Sequence, residues 1–111
     1  MLNHERLKSY ILAMDVAKKV PDMLSSLPLG SYYLADQLKR AVSSILLNQA
    51  EGNGRRSIKE RRRFFDIAIG SATESAAIFD IIYTYGYIDQ LTYNEMKDKL
   101  EQVVRILYKL N

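Results

Sequence analysis

Arg55, Arg56, Lys59, Arg61, Arg62 and Arg63 stand within the ten residues from Gly54 to Arg63, against a single acid, Glu60. That stretch carries a local charge of +5, while the chain as a whole carries only +3. Arginines outnumber lysine five to one there, and the planar guanidinium fork suits bidentate contact with phosphate and stacking on exposed bases. Ser57-Ile58-Lys59-Glu60 predicts a helix start inside the run, with Ser57 accepting from first-turn amides and Glu60 reaching back to the cap amide. Cations at a helix N-terminus oppose its dipole and repel one another, a cost that a polyanion relieves. Arg55 and Arg56 precede the cap, Lys59, Arg62 and Arg63 fall on one side of the first two turns, and Arg61 points elsewhere. Phosphate contact through Arg55, Arg56, Lys59, Arg62 and Arg63 is the functional expectation, with a solvated helix end as the plainer alternative.

A second polar row, Gln37, Arg40, Ser44, Asn48 and Glu51, follows steps of three, four, four and three, which is one stripe down a helix beside its apolar face. Gly70-Ser71-Ala72-Thr73-Glu74-Ser75 offers a counterpart: small residues permit close helix approach, and Glu74 is placed to meet a cation such as Arg40. The expected role is a structural polar network or a subunit contact.

Other chemistry finds little support. With no cysteine and one histidine, His4, there is neither a disulfide framework nor a usual zinc ligand set, so no metal or other cofactor is expected. The acids are scattered over helix surfaces rather than paired beside a nucleophile or base, and enzymatic activity is not expected. Gly52-Asn53-Gly54 lacks both the preceding strand and the following Gly-Lys-Ser/Thr of a nucleotide-binding loop. The residues Met1 to Arg6 contain no apolar core for a signal peptide, and no apolar run approaches the roughly 18 residues of a membrane span. A cytoplasmic location is expected.

The elements that must position these residues are helices. A chain of 111 residues is one domain's worth of sequence, and glycine and proline cluster at three places, Val20-Pro21 to Gly30, Gly52-Asn53-Gly54 and Gly86, which cut it into four segments of helical length. The first segment, about 4 to 26, places Leu7, Tyr10, Ile11, Met14 and Ala17 at helical steps and is predicted to bend or break near Pro21. The second starts between Ser31 and Asp36 and runs to about Glu51, with Leu34, Leu38, Ala41, Val42 and Ile45 on one face and Gly52 as its C-terminal cap. The third runs from Ser57 to about Tyr85, capped by Gly86. The fourth opens on a second capping box, Thr92-Tyr93-Asn94-Glu95, and carries a heptad-like seam of Met96, Leu100, Val103, Leu107 and Leu110. Short connections between long helices predict an all-α, antiparallel up-down-up-down four-helix bundle over residues 1–111. The end of the third helix, with Phe79, Ile81, Ile82, Tyr83 and Tyr85 around nearly its whole circumference, predicts surface that self-association would cover.

Leu27-Pro28, Gln37-Leu38-Lys39-Arg40-Ala41, Ser44-Ile45, Asn48, Ala50-Glu51-Gly52, Gly54-Arg55, Ser57, Lys59-Glu60, Arg63-Phe64, Ala68, Gly70-Ser71 and Glu74 resemble the 23S rRNA intervening-sequence protein family. That family includes the accessory variability determinants of diversity-generating retroelements. The match is densest from 37 to 74. Leu46 stands where the family commonly has proline, and Gln49 where it has isoleucine; Val20-Pro21 inside the first helix is also less typical. The resemblance implies a four-helix bundle assembled as a ring-like homopentamer with a basic surface and no enzymatic activity. It further implies, for the retroelement branch, a reverse transcriptase and its structured template RNA as partners. The expectation is a non-enzymatic homo-oligomeric protein that binds nucleic acid, RNA favoured, through the arginine patch. The alternative is an interaction scaffold whose patch docks on an acidic protein partner.

Overall fold

The computed structural model describes residues 2–111. A single 3-10 turn, Asn3–Arg6, precedes four helices: α1 (Lys8–Leu24), α2 (Tyr32–Asn53), α3 (Ile58–Thr84) and α4 (Gln90–Leu110). They run up-down-up-down around a square in which α1 touches α2 and α4, and α3 touches α2 and α4. The resulting bundle is elongated, 45 × 24 × 22 Å, so its two ends lie far apart. The starts of α1 and α3 share one end with the finishes of α2 and α4, and a hydrogen bond from Asn111 Nδ2 to Asp66 Oδ1 (2.7 Å) holds the tail of α4 there.

The seams of α2 and α4 are those the periodicity predicts. Leu34, Leu38, Ala41, Val42 and Ile45 are buried, as are Met96, Leu100, Val103 and Leu107, while Leu110 is 46% exposed beyond the last core layer. Helix α1 differs. Its inward face is Ser9, Ala13, Val16, Val20 and Met23, whereas Ile11, on the predicted face, is half exposed. The helix is apolar around a wide arc, so two stripes compete. The native one is headed by a serine whose hydroxyl donates to the equally buried Gln49 (Oγ to Oε1, 2.6 Å).

The helix ends also correct the sequence reading. The single helix expected from residue 4 divides, because Leu7 is extended (φ −68°, ψ 127°) between the 3-10 turn and α1. Pro21 lies within α1 without ending it. At the start of α3, Ser57 Oγ accepts from the Glu60 amide (3.3 Å), but the Glu60 carboxylate turns to Arg63 instead of closing the box. Helix α4 starts at Gln90, because Asp89 caps it by accepting from the Thr92 amide (2.7 Å); aspartate caps at least as well as threonine. Gly86 takes a left-handed φ of 78°, and the bonds from Tyr87 N to Ile82 O and Gly86 N to Tyr83 O close α3 in a Schellman motif.

Gly52 is not a cap. It lies inside α2, where a Cβ would come within 2.8 Å of the Phe65 ring and 3.1 Å of Phe64 Cβ. Its glycine is required by the closeness of α2 to α3, and this contact fixes the geometry of the α2–α3 junction that carries the arginines.

At the opposite end, α3 and α4 are joined by a polar cluster. Tyr93 Oη and Lys97 Nζ both donate to Asp80 Oδ1 (2.6 and 2.7 Å), and the Tyr83 and Tyr93 rings stack at 4.3 Å. Burial alone would raise the Asp80 pKa, yet the hydrogen bonds from Lys97 and Tyr93 together outweigh it and hold the carboxyl below its ordinary 3.8. The hydrogen bond to Asp80 raises Lys97 and Tyr93 above their ordinary values. The Asp80 contribution to stability is therefore complete above its unfolded pKa and lost as pH falls through the lower folded one. Those of Lys97 and Tyr93 are complete below their unfolded values and lost as pH rises through the folded ones. Asp80→Asn is expected to lower Tm by a few degrees at neutral pH, and by progressively less toward both extremes. Melting curves of the two proteins across pH check this; a constant difference at all pH values would contradict it.

Candidate nucleic-acid interface

The α2–α3 junction gathers the predicted patch by short-range geometry. Arg55 follows the last turn of α2, and its Nη2 meets Glu51 Oε2 at 2.8 Å. Its guanidinium carbon lies 5.0 Å from the Phe64 ring centroid, and that of Arg63 lies 4.6 Å from the same ring. Arg63 Nη2 reaches Glu60 Oε2 at 3.3 Å. One half-buried phenylalanine thus holds two guanidinium groups, each about half exposed and each steadied by one carboxylate. Cation–π contacts of this type restrict side-chain freedom at modest energy. Arginines held in this way lose less entropy on meeting an anion.

Arg56, Lys59, Arg61 and Arg62 are exposed and form no ion pair among the described residues. All five predicted contact residues are therefore on the surface at one end of the bundle. Arg61, set apart in the sequence reading, continues the Phe65–Ala68 stripe past the core, which puts it over that same end.

Periodicity alone missed further cations. Lys8, Arg105 and Lys109 line a single groove between α1 and α4 with Gln102 and Ile106. Their signal was topological: once the bundle is antiparallel, the first turn of α1 and the last turns of α4 lie at the same end as the start of α3.

The polar stripe of α2 divides into three parts. Ser44 and Ser71 join their hydroxyls at 2.7 Å across the α2–α3 seam, and Asn48 Nδ2 donates to Ser44 O (2.8 Å) and Oγ (3.0 Å). Glu51 belongs to the arginine patch. Gln37 and Arg40 remain exposed. The expected Arg40–Glu74 bridge does not form among the described residues. The antiparallel register set by Ser44 and Ser71 brings the two residues level, but both side chains face outward.

A family model described as 23S rRNA-intervening sequence protein matches residues 5–109, which takes in all four helices. The chain belongs to this family. The intervening-sequence fold is seen in a crystal structure of a protein with unknown function from the S23 ribosomal protein family of Bacteroides thetaiotaomicron VPI-5482. That structure superposes with a TM-score of 0.82 at 16% identity, covering 92% of this chain and 96% of the other. No curated protein matches the sequence. In this intervening-sequence protein no helix is long and apolar enough to cross a membrane, among the described residues.

Proposed function

We propose that this intervening-sequence protein is a non-enzymatic, homo-oligomeric accessory protein that holds the phosphates of structured RNA or DNA, RNA favoured, through Arg55, Arg56, Lys59, Arg62 and Arg63. The observation that carries this reading is the Arg55–Phe64–Arg63 stack, which presents two ordered guanidiniums beside four cations that form no ion pair among the described residues. The family description, with its reference to 23S rRNA, supports RNA as the ligand. A ring-like homopentamer multiplies one modest patch into a multivalent surface, and a reverse transcriptase is the protein partner on the retroelement reading.

Fluorescence anisotropy of labelled structured RNA and duplex DNA against salt tests the proposal. With five or six phosphate contacts, affinity should fall about 10²–10³-fold between roughly 50 and 200 mM salt. Absence of binding even at low salt would overturn it and leave the scaffold reading, in which the patch docks on an acidic protein.

Self-association is proposed to use the outward Arg40 and Glu74, whose opposite charges are level on one face yet form no ion pair among the described residues. Arg40→Glu is expected to shift sedimentation toward smaller species, and Arg40→Glu with Glu74→Arg to restore the assembly. An unchanged size in the single variant would place the interface elsewhere.

A further inference from the structure

A groove of about 750 Å³ lies between the N-terminal 3-10 turn and the end of α2. That size lies within the range of small-ligand sites, and no residue of the groove other than Arg55 and Glu51 enters the phosphate-binding reading. His4 lines it from the 3-10 turn, and Leu47, Ala50, Glu51 and Asn53 line it from the end of α2, followed by Arg55. We infer that this groove takes an unpaired nucleobase from a strand whose phosphates lie on the neighbouring arginines.

The chemistry of the walls matches what a splayed-out base requires. Unpaired bases are held by stacking on aromatic rings or guanidinium planes and by hydrogen bonds to their polar edges. The His4 imidazole is half-buried and fixed edge-on against Tyr10, with ring centroids 4.9 Å apart and planes at 72°. The turn that carries it is closed by bonds from Glu5 N to Leu2 O and from Leu7 N to His4 O, both 3.1 Å. Opposite, Leu47 is 65% exposed, an apolar surface that the chain leaves uncovered and that a base can cover. Asn53 supplies an amide with both donors and an acceptor. Only Oε2 of Glu51 is engaged by Arg55, which leaves its other oxygen to accept from an exocyclic amino group.

Position decides the occupant. Arg55 belongs both to the lining of the groove and to the basic patch, so a phosphate held there directs the adjoining base toward the groove. Bases within a duplex are stacked and paired and do not enter. The structure therefore assigns to this end a preference for single-stranded segments or loops over continuous duplex, a specificity that cations alone do not supply. The inference rests on the proposed phosphate-binding reading.

The test uses the full-length protein with a single-stranded RNA oligonucleotide carrying a fluorescent aminopurine, and the same strand annealed to its complement. Leu47→Glu and His4→Ala are each expected to weaken binding of the single strand about tenfold, in line with the loss of one stacked base. Binding of the duplex should change less than about twofold. The aminopurine signal should change on binding the wild-type protein and not the His4→Ala variant. Equal losses for both ligands, or none for the single strand, would overturn the inference. A change in sedimentation of Leu47→Glu would also overturn it, by showing the groove to be a contact between copies. Failure of the underlying reading is distinct: Arg55→Glu/Arg56→Glu would then bind both ligands like the wild type.

Discussion

Charge reversal at Arg55 and Arg56 together is expected to weaken nucleic-acid binding by at least about 10²-fold at low salt, because two attractive phosphate contacts become two repulsions. The log–log salt slope should also fall in magnitude by roughly 1.4–1.8 for the two lost contacts. The fold should tolerate the change. Both side chains are exposed in the short connection between α2 and α3, and neither belongs to the core. Position 55 would then set a glutamate four residues from Glu51, a like-charge cost of only about 0.2–0.5 kcal/mol. A control with the same change in net charge is Lys18→Glu/Lys19→Glu, two exposed residues toward the other end of the bundle. Its affinity should drop only a fewfold. Circular dichroism and sedimentation of both variants should match the wild type. If Arg55→Glu/Arg56→Glu instead loses its assembly, the patch is a subunit contact and its phosphate role is refuted.

The patch could be located from the sequence because its signal is local. Charge density, the Ser57 cap and the glycines before it are all read within a dozen residues. The seams of α2 and α4 were legible for a similar reason, since each has one narrow apolar stripe with polar neighbours. Features that depend on what faces a residue were hidden. The Phe64 platform requires knowing that Arg55 and Arg63 approach one ring from different segments. Gly52 has the look of a cap but is a packing contact with Phe65. Lys8, Arg105 and Lys109 come from opposite ends of the chain, and only the bundle topology brings them together. The inward stripe of α1 was missed because Ser9, its first residue, is a polar side chain made compatible with the core by a partner 40 residues away.

That partnership gives the second large expected effect. Ser9 and Gln49 are both fully buried. Ser9 Oγ donates to Gln49 Oε1 at 2.6 Å, and the long 3.5 Å contact from Gln49 Nε2 to Ser9 O is the second link between them. Ser9→Ala leaves the glutamine oxygen without its partner and should cost about 1–3 kcal/mol. Gln49→Ile leaves the Ser9 hydroxyl without its partner, for a loss of about 1–3 kcal/mol. The double variant Ser9→Ala/Gln49→Ile removes both polar groups and installs the residue that the family pattern has before Ala50-Glu51-Gly52. Its stability should lie within about 1 kcal/mol of the wild type, because replacing a buried polar pair with apolar groups of similar shape is close to neutral. Urea unfolding at fixed protein concentration measures all three. A coupling energy of about 0.5–3 kcal/mol is the expected signature of a direct contact. The pair would then contribute register more than stability: sliding α1 by one turn would bury Ser9 and Gln49 apart, each unsatisfied, whereas an all-apolar seam tolerates the slip. A double variant that loses the sum of the two single effects would show no coupling, and would remove the pair from any role in fixing α1 on α2.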